Sequence, residues 1–192
     1  MIRAATPGDI DAIVALHCRV LHWSINGRLG PDHVRKMYAA LLGHAETVAF
    51  VACKQHAVIG FLIASTNYDR ARARIRASIG LGGVSRVLLG SLLHPLDWID
   101  LFESATLVPY AMRKSRHKAE LLAWVTDSKD AFGRIAATKC MLKTLEELKS
   151  RGCVKCLAQI LRSNREPNKF HERMGSRVIA SYFRNKVYLI DC

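Results

Sequence analysis

An apolar run, Ala119 to Val125, leads through Thr126-Asp127-Ser128-Lys129-Asp130 into a helical stretch, Phe132 to Arg151, and Val154 to Leu161 is apolar again. Within the helical stretch Ile135, Cys140, Met141, Leu145 and Leu148 form a stripe to be buried, and Gly152 ends it. A strand joined to the next strand by a long helix implies a right-handed crossover between parallel neighbours. The chain is therefore read as an α/β protein.

The flanking elements fill in the sheet. Ile2 to Ala5 is a short apolar run, and Thr6-Pro7-Gly8-Asp9 opens a helix with a capping Thr, a first-turn Pro and a capping-box acid. Ile10, Ile13, Val14, His17 and Leu21 then recur at helical spacing. Gly27 to Pro31 breaks the chain before a second helix that ends at Gly43. Thr47 to Cys53 and Val58 to Ser65 read as a hairpin around Lys54-Gln55-His56-Ala57. After the crossover come a short helix, Pro167 to Met174, and a strand pair, Val178 to Phe183 and Lys186 to Ile190. The order predicts a mixed, mostly antiparallel central sheet with helices on both faces. A helical insert at about 67–118 separates the third and fourth strands. At roughly 100–200 residues per domain, the 192 residues make one domain, 1–192.

Half of the residues are hydrophobic, too many for intrinsic disorder. No apolar stretch of about 18 residues is present to span a membrane, and no apolar core follows Arg3 to make a secretory signal. The six cysteines lie among aliphatic residues and read as small buried hydrophobes of a reducing cytoplasm. His17, His22 and His33 lack metal-like spacing, and Cys153-x-x-Cys156 lacks a second pair, so no metal site is expected. A net charge of +13 is the one extreme, and it points to an anionic partner.

Gly133, at the opening of the long helix, lets the backbone turn tightly and approach a ligand, and first-turn N–H groups favour an anion. Lys129 and Arg134 add charge there. Beyond the next strand stands Asn164-Arg165-Glu166-Pro167-Asn168-Lys169-Phe170-His171-Glu172-Arg173-Met174-Gly175. With this order of elements, the sequence resembles the GNAT superfamily of acetyl-CoA-dependent N-acyltransferases over almost its whole length, the insert excepted. Val125 resembles the family's strand-end Val and Gly133 the first signature Gly. Asp130 stands where Arg or Gln is usual and Ile135 where a small residue is usual, a place that Ala136 or Ala137 takes in a shifted register. Asn164, Pro167, Phe170, His171 and Gly175 keep the later motif's spacing, with His171 in place of a Tyr.

The resemblance implies acetyl-CoA as co-substrate, lying in a splay between the strand ending at Val125 and strand 154–161. Backbone groups of Trp124, Val125 and Thr126 would bind the pantetheine arm, and an amide near Val125 the thioester carbonyl. Amides of Phe132, Gly133, Arg134, Ile135, Ala136 and Ala137 would hold the pyrophosphate. His171 would protonate the departing thiolate as a histidinium, and Glu120 would deprotonate the amine through water. The competing readings are a partly exposed helix histidine and a strand-edge carboxylate. Asn164 binds cofactor or braces its loop, and the ring of Trp124 packs in the core.

The insert carries alternating Arg70, Arg72, Arg74 and Arg76, an apolar stretch from Ile79 to Leu93, and Trp98, Phe102 and Tyr110. It reads as an acceptor cover, a peripheral surface for anionic lipid, or helices packed on the core or in a homodimer contact. The implied function is acetyl transfer to the primary amine of a small molecule, with an amino sugar or sugar nucleotide preferred. A protein or peptide N-acetyltransferase and a non-catalytic GNAT-like binding module are the alternatives. A nucleic-acid binder ranks last for want of a recognisable binding motif.

Overall fold

The computed structural model describes residues 1–78, 95–127 and 131–192. In chain order its elements are β1 (Ile2–Ala4), a 3-10 turn (Pro7–Asp9), α1 (Ile10–Val20), α2 (Ile25–Arg28), α3 (Pro31–Leu41), β2 (Thr47–Lys54) and β3 (Ala57–Ser65). There follow α4 (68–78), α5 (Pro95–Phe102), a π-helical turn (Glu103–Leu107), α6 (Val108–Lys114) and β4 (Ala119–Thr126). The chain continues with α7 (Ala131–Ser150), β5 (Lys155–Leu161), α8 (Arg165–Arg173), β6 (Arg177–Ser181) and β7 (Asn185–Asp191).

One seven-stranded sheet runs β1-β2-β3-β4-β5-β7-β6. Every neighbouring pair is antiparallel except β4 and β5, which the α7 crossover makes parallel. The described residues between β3 and β4 are largely helical, and 79–94, including the apolar stretch 79–93, lie outside them. One face of the sheet packs Cys140, Met141, Leu145 and Leu148 of α7 against Leu62, Ala158 and Tyr188. The other packs α1 and α3 against Phe61, Ile63 and Val125.

Local chemistry sets several boundaries. Asp9 closes the first turn by accepting from the Thr6 amide (2.8 Å) and from Arg3 (2.6 and 2.7 Å), and the Arg3 bond chiefly holds its carboxyl below the usual range. Gly152 ends α7 at φ +82°, a conformation that favours glycine.

Two sequence expectations are corrected. The helix α2 runs into the break expected at 27–31, because Ser24 Oγ accepts the Gly27 amide. Gly27 is required there, since a Cβ would lie 2.1 Å from the Leu21 carbonyl oxygen. Ile135 is exposed on α7, and Ala136, Ala137 and Thr144 join the buried stripe in its place. At 3.6 residues per turn, Ile135 is out of phase with Cys140, Met141 and Leu148. No described helix is long and apolar enough to cross a membrane.

Candidate functional site

Strands β4 and β5 pair only over 119–121 and 156–158. β3 accompanies β4 further, but Ala64 faces Leu121 while Ile63 faces Ala123, so Leu122 is an extra residue in β4. Such a bulge bends its strand and increases its twist. Beyond it β4 and β5 separate into a cleft of about 1000 Å³, walled by 121–124 of one strand and 158–161 of the other.

Strand geometry then decides which backbone groups the cleft receives. The Asp127 amide donates to Ile59 (2.8 Å), and successive residues of an antiparallel strand alternate sides. Val125, paired with Phe61, therefore turns its N–H and C=O to β3, and its side chain is buried with α1 and α3. This corrects the expectation that Val125 or its amide contacts ligand. Trp124, which lines the cleft, and Thr126 turn their backbone groups away from β3, to the side where β5 has parted from β4.

On the α7–α8 side the wall is aromatic. The Trp124 ring meets Phe170 edge-on at 4.7 Å and His171 at 6.0 Å, and His171 stacks on Tyr188 at 5.2 Å. His171 is 1% exposed, and burial lowers its pKa to about 4. Its imidazole is thus uncharged at neutral pH, so the histidinium acid and the partly exposed histidine are both corrected by one cause, desolvation. Asn164 lines the cleft and caps α8 with its carbonyl, which accepts the amide and the side chain of Asn168 (3.2 and 2.6 Å). Tyr188 in turn donates to Asn168 Oδ1 at 2.8 Å.

The α4–α5 side is polar. Helical geometry sorts the four alternating arginines of α4: Arg70 and Arg74, one turn apart, reach Glu46, while Arg72 and Arg76 line the cleft. Arg72 grips Glu120 with two bonds, 2.6 and 3.2 Å, and Glu120 is 3% exposed, so it is no solvated strand-edge carboxylate. Burial would lower the Arg72 pKa, but the charge and hydrogen bonds of Glu120 outweigh it and the net shift is upward. Gln159 donates to Ser104 Oγ and Asn185 Oδ1 (2.7 and 2.9 Å), which ties β5 to the turn after α5 and to β7. The buried Glu103 carboxylate accepts the amides of Arg184 and Asn185 and the side chain of Asn185.

Of the expected site residues, the structure brings Glu120, Trp124, Asn164 and His171 to one cleft. Phe132, Gly133 and Arg134 form the first turn of α7 and do not line it. The N–H groups of Ile135, Ala136 and Ala137 point back to carbonyls one turn earlier, which corrects their reading as pyrophosphate donors. Lys129 and Asp130 lie outside the described residues. Sequence reasoning missed Gln159, Asn185 and Glu103, and noticed Arg72 without its partner. Among the described residues, no group of three His, Cys, Asp or Glu side chains is placed to hold a metal ion.

No protein-family model matches the chain, and no curated sequence matches it. Solved structures do. SsHAT superposes with a TM-score of 0.68 at 20% identity, covering 100% of this chain and 97% of its own. The PaiA N-acetyltransferase of Thermoplasma acidophilum, in complex with coenzyme A, gives 0.58 at 12% identity, covering 100% and 98%. This is the GNAT fold. Aminoglycoside 6'-acetyltransferase type Ii shares it, with a TM-score of 0.61 and 14% identity over 100% and 96% of the two chains. In the GNAT fold of this chain, the parting of β4 from β5 supplies the cleft.

Proposed function

We propose that this protein is an acetyl-CoA-dependent N-acetyltransferase acting on the primary amine of a small molecule. The observation that carries the reading is the backbone of Trp124, which lines the cleft between β4 and β5, together with that of Thr126 beside it, neither of them used by β3. A pantetheine arm is a chain of amides, and strand groups freed at alternate residues offer it donors and acceptors in register. The coenzyme A complex of a structural neighbour and the aminoglycoside acceptor of another support the reading.

Acetyl-CoA enters along the α7–α8 side, with its diphosphate toward Phe132, Gly133 and Arg134. The amine approaches from the α4–α5 side. Its nitrogen attacks the thioester carbonyl, the C–N bond forms and the C–S bond breaks. Much of the rate comes from holding the two reactants together. Glu120 passes the amine's protons, one lost before attack and one as the adduct collapses, through water to solvent, and coenzyme A leaves as the thiolate. His171, uncharged, offers the sulfur a hydrogen bond from its N–H and not a proton. His171 therefore imposes no fall in activity as pH rises from 6 to 8 through the usual histidine range.

The test is acetyl-CoA binding followed by thiol release with amine acceptors. Acetyl-CoA should raise the melting temperature by mass action. Thr126→Pro deletes an N–H that β3 does not use, and should weaken acetyl-CoA binding by about 5–30-fold without unfolding the sheet. No thermal shift at millimolar acetyl-CoA would leave a non-catalytic binding module.

A further inference from the structure

We infer that the acceptor carries an anionic group, carboxylate or phosphate, beside its amine, and that Arg184 with Arg76 holds it at the α4–α5 end of the cleft. The inference rests on the acetyl-transfer reading and narrows its substrate.

The charges lining the cleft carry the argument. Among the described residues they are Arg28, Arg72, Arg76 and Arg184 against Asp100 and Glu120. Arg72 and Glu120 neutralise one another in their bidentate pair. Asp100 accepts from the Asn185 side chain at 2.8 Å. Leaving Arg28 out of the balance, Arg76 and Arg184 face one carboxylate, a surplus that attracts an anion.

Arg184 is the more telling of the two named residues. Its Nε is buried and has no hydrogen-bond partner among the described residues, although the side chain lines the cleft. An unpaired buried donor has given up its hydration without return and calls for an explanation. A ligand oxygen provides one. The root of the side chain is fixed, because the Arg184 amide donates to Glu103 (3.1 Å) and its carbonyl accepts the Arg162 amide (2.7 Å). The planar guanidinium fork on that root suits a carboxylate or phosphate. Arg76 stands one helical turn beyond Arg72, on the same face of α4, and makes no ion pair among the described residues. The part of acetyl-CoA that reaches this end is the uncharged thioester, so the anion belongs to the acceptor. Trp98 and Phe102 of α5 line the cleft with exposed rings, against which the body of such a molecule can lie.

Two pairs of amines that differ only in the anion decide the matter: glucosamine against glucosamine 6-phosphate, and tyramine against tyrosine. Calorimetry on coenzyme A-saturated protein, with thiol release in parallel, should show the anionic member binding at least about tenfold more tightly in one pair. The pair showing it tells phosphate from carboxylate. Arg184→Met should abolish the preference, Arg184→Lys should restore part of it, and acetyl-CoA affinity should stay unchanged in both. Equal binding within both pairs, or no binding in either, overturns the inference. So does a loss of acetyl-CoA affinity in Arg184→Met, because Arg184 would then serve the coenzyme. Failure of the acetyl-transfer reading looks different: acetyl-CoA does not bind, or the anionic amine binds and is not acetylated.

Discussion

On its α7–α8 side the cleft is walled by the rings of Trp124 and His171, backed by Phe170 and Tyr188, and on its α4–α5 side by Arg72, Glu120, Gln159 and Asn185, backed by Glu103. The ring wall includes neighbours in sequence, while the polar wall joins residues 26 to 87 positions apart. Loss of a ring removes contact area. Loss of one member of the polar wall strands a partner that has already given up its water. The ring wall is therefore the more forgiving of the two, and the polar wall binds the helices before β4 to β4, β5 and β7.

The largest expected effect breaks the polar wall. Arg72→Met leaves the buried Glu120 carboxylate without its partner, and urea unfolding should show a loss of roughly 3–5 kcal/mol. Arg72→Met with Glu120→Leu should recover most of that loss, because two apolar side chains remove the stranded charge as well. A single variant losing less than about 1 kcal/mol would make the pair equivalent to a surface salt bridge and erase the contrast.

Acid tests the ring wall next. His171 has its pKa lowered by burial from 6.5 to about 4. Below pH 6.5 the unfolded chain takes a proton that the native state refuses, so stability falls as pH drops and levels off below about 4. One such histidine accounts for about 3 kcal/mol at pH 4. His17, whose burial also lowers its pKa to about 4, adds a similar loss. His171→Phe should remove roughly half of the decline in a pH series of unfolding curves. An unchanged decline would place the acid sensitivity elsewhere.

The smallest effect sharpens the comparison from the forgiving side. Phe170→Leu removes the edge-on contact with Trp124 and strands no polar group, so it should destabilise by roughly 1 kcal/mol. A loss equal to that of Arg72→Met would show that the ring wall is just as unforgiving.

Much of the fold was legible because its signals are local. Apolar spacing placed β2, β3, α7 and β5 to within a residue or two, and the crossover implied the one parallel pair. The short helix α2 was missed because Gly27 reads as a breaker, and a close approach to the Leu21 carbonyl is invisible in sequence. In the site, Glu120, Trp124, Asn164 and His171 were picked out and lie on one cleft. Val125 and residues 135–137 were picked out too, yet β3 pairing and the helix interior claim their backbone groups. Arg72 left a trace, since four alternating arginines on a helix must divide into two faces. Nothing near Gln159 or Asn185 announces their bond, because its ends are 26 residues apart.

By itself the sequence determined the elements and their order: the apolar periods, the Thr6–Asp9 start, the Gly152 stop and the crossover that makes β4 and β5 parallel. These follow from interactions within a few residues. Only the tertiary structure decided where β4 leaves β5, that His171 is uncharged, and that Arg72 spends its charge on Glu120. Each depends on what a distant segment brings: an extra residue at Leu122 measured against β3, Tyr188 stacked over an imidazole, and a helix of the insert laid across the start of β4. Desolvation and pairing act through space, and the chain carries no local mark of them.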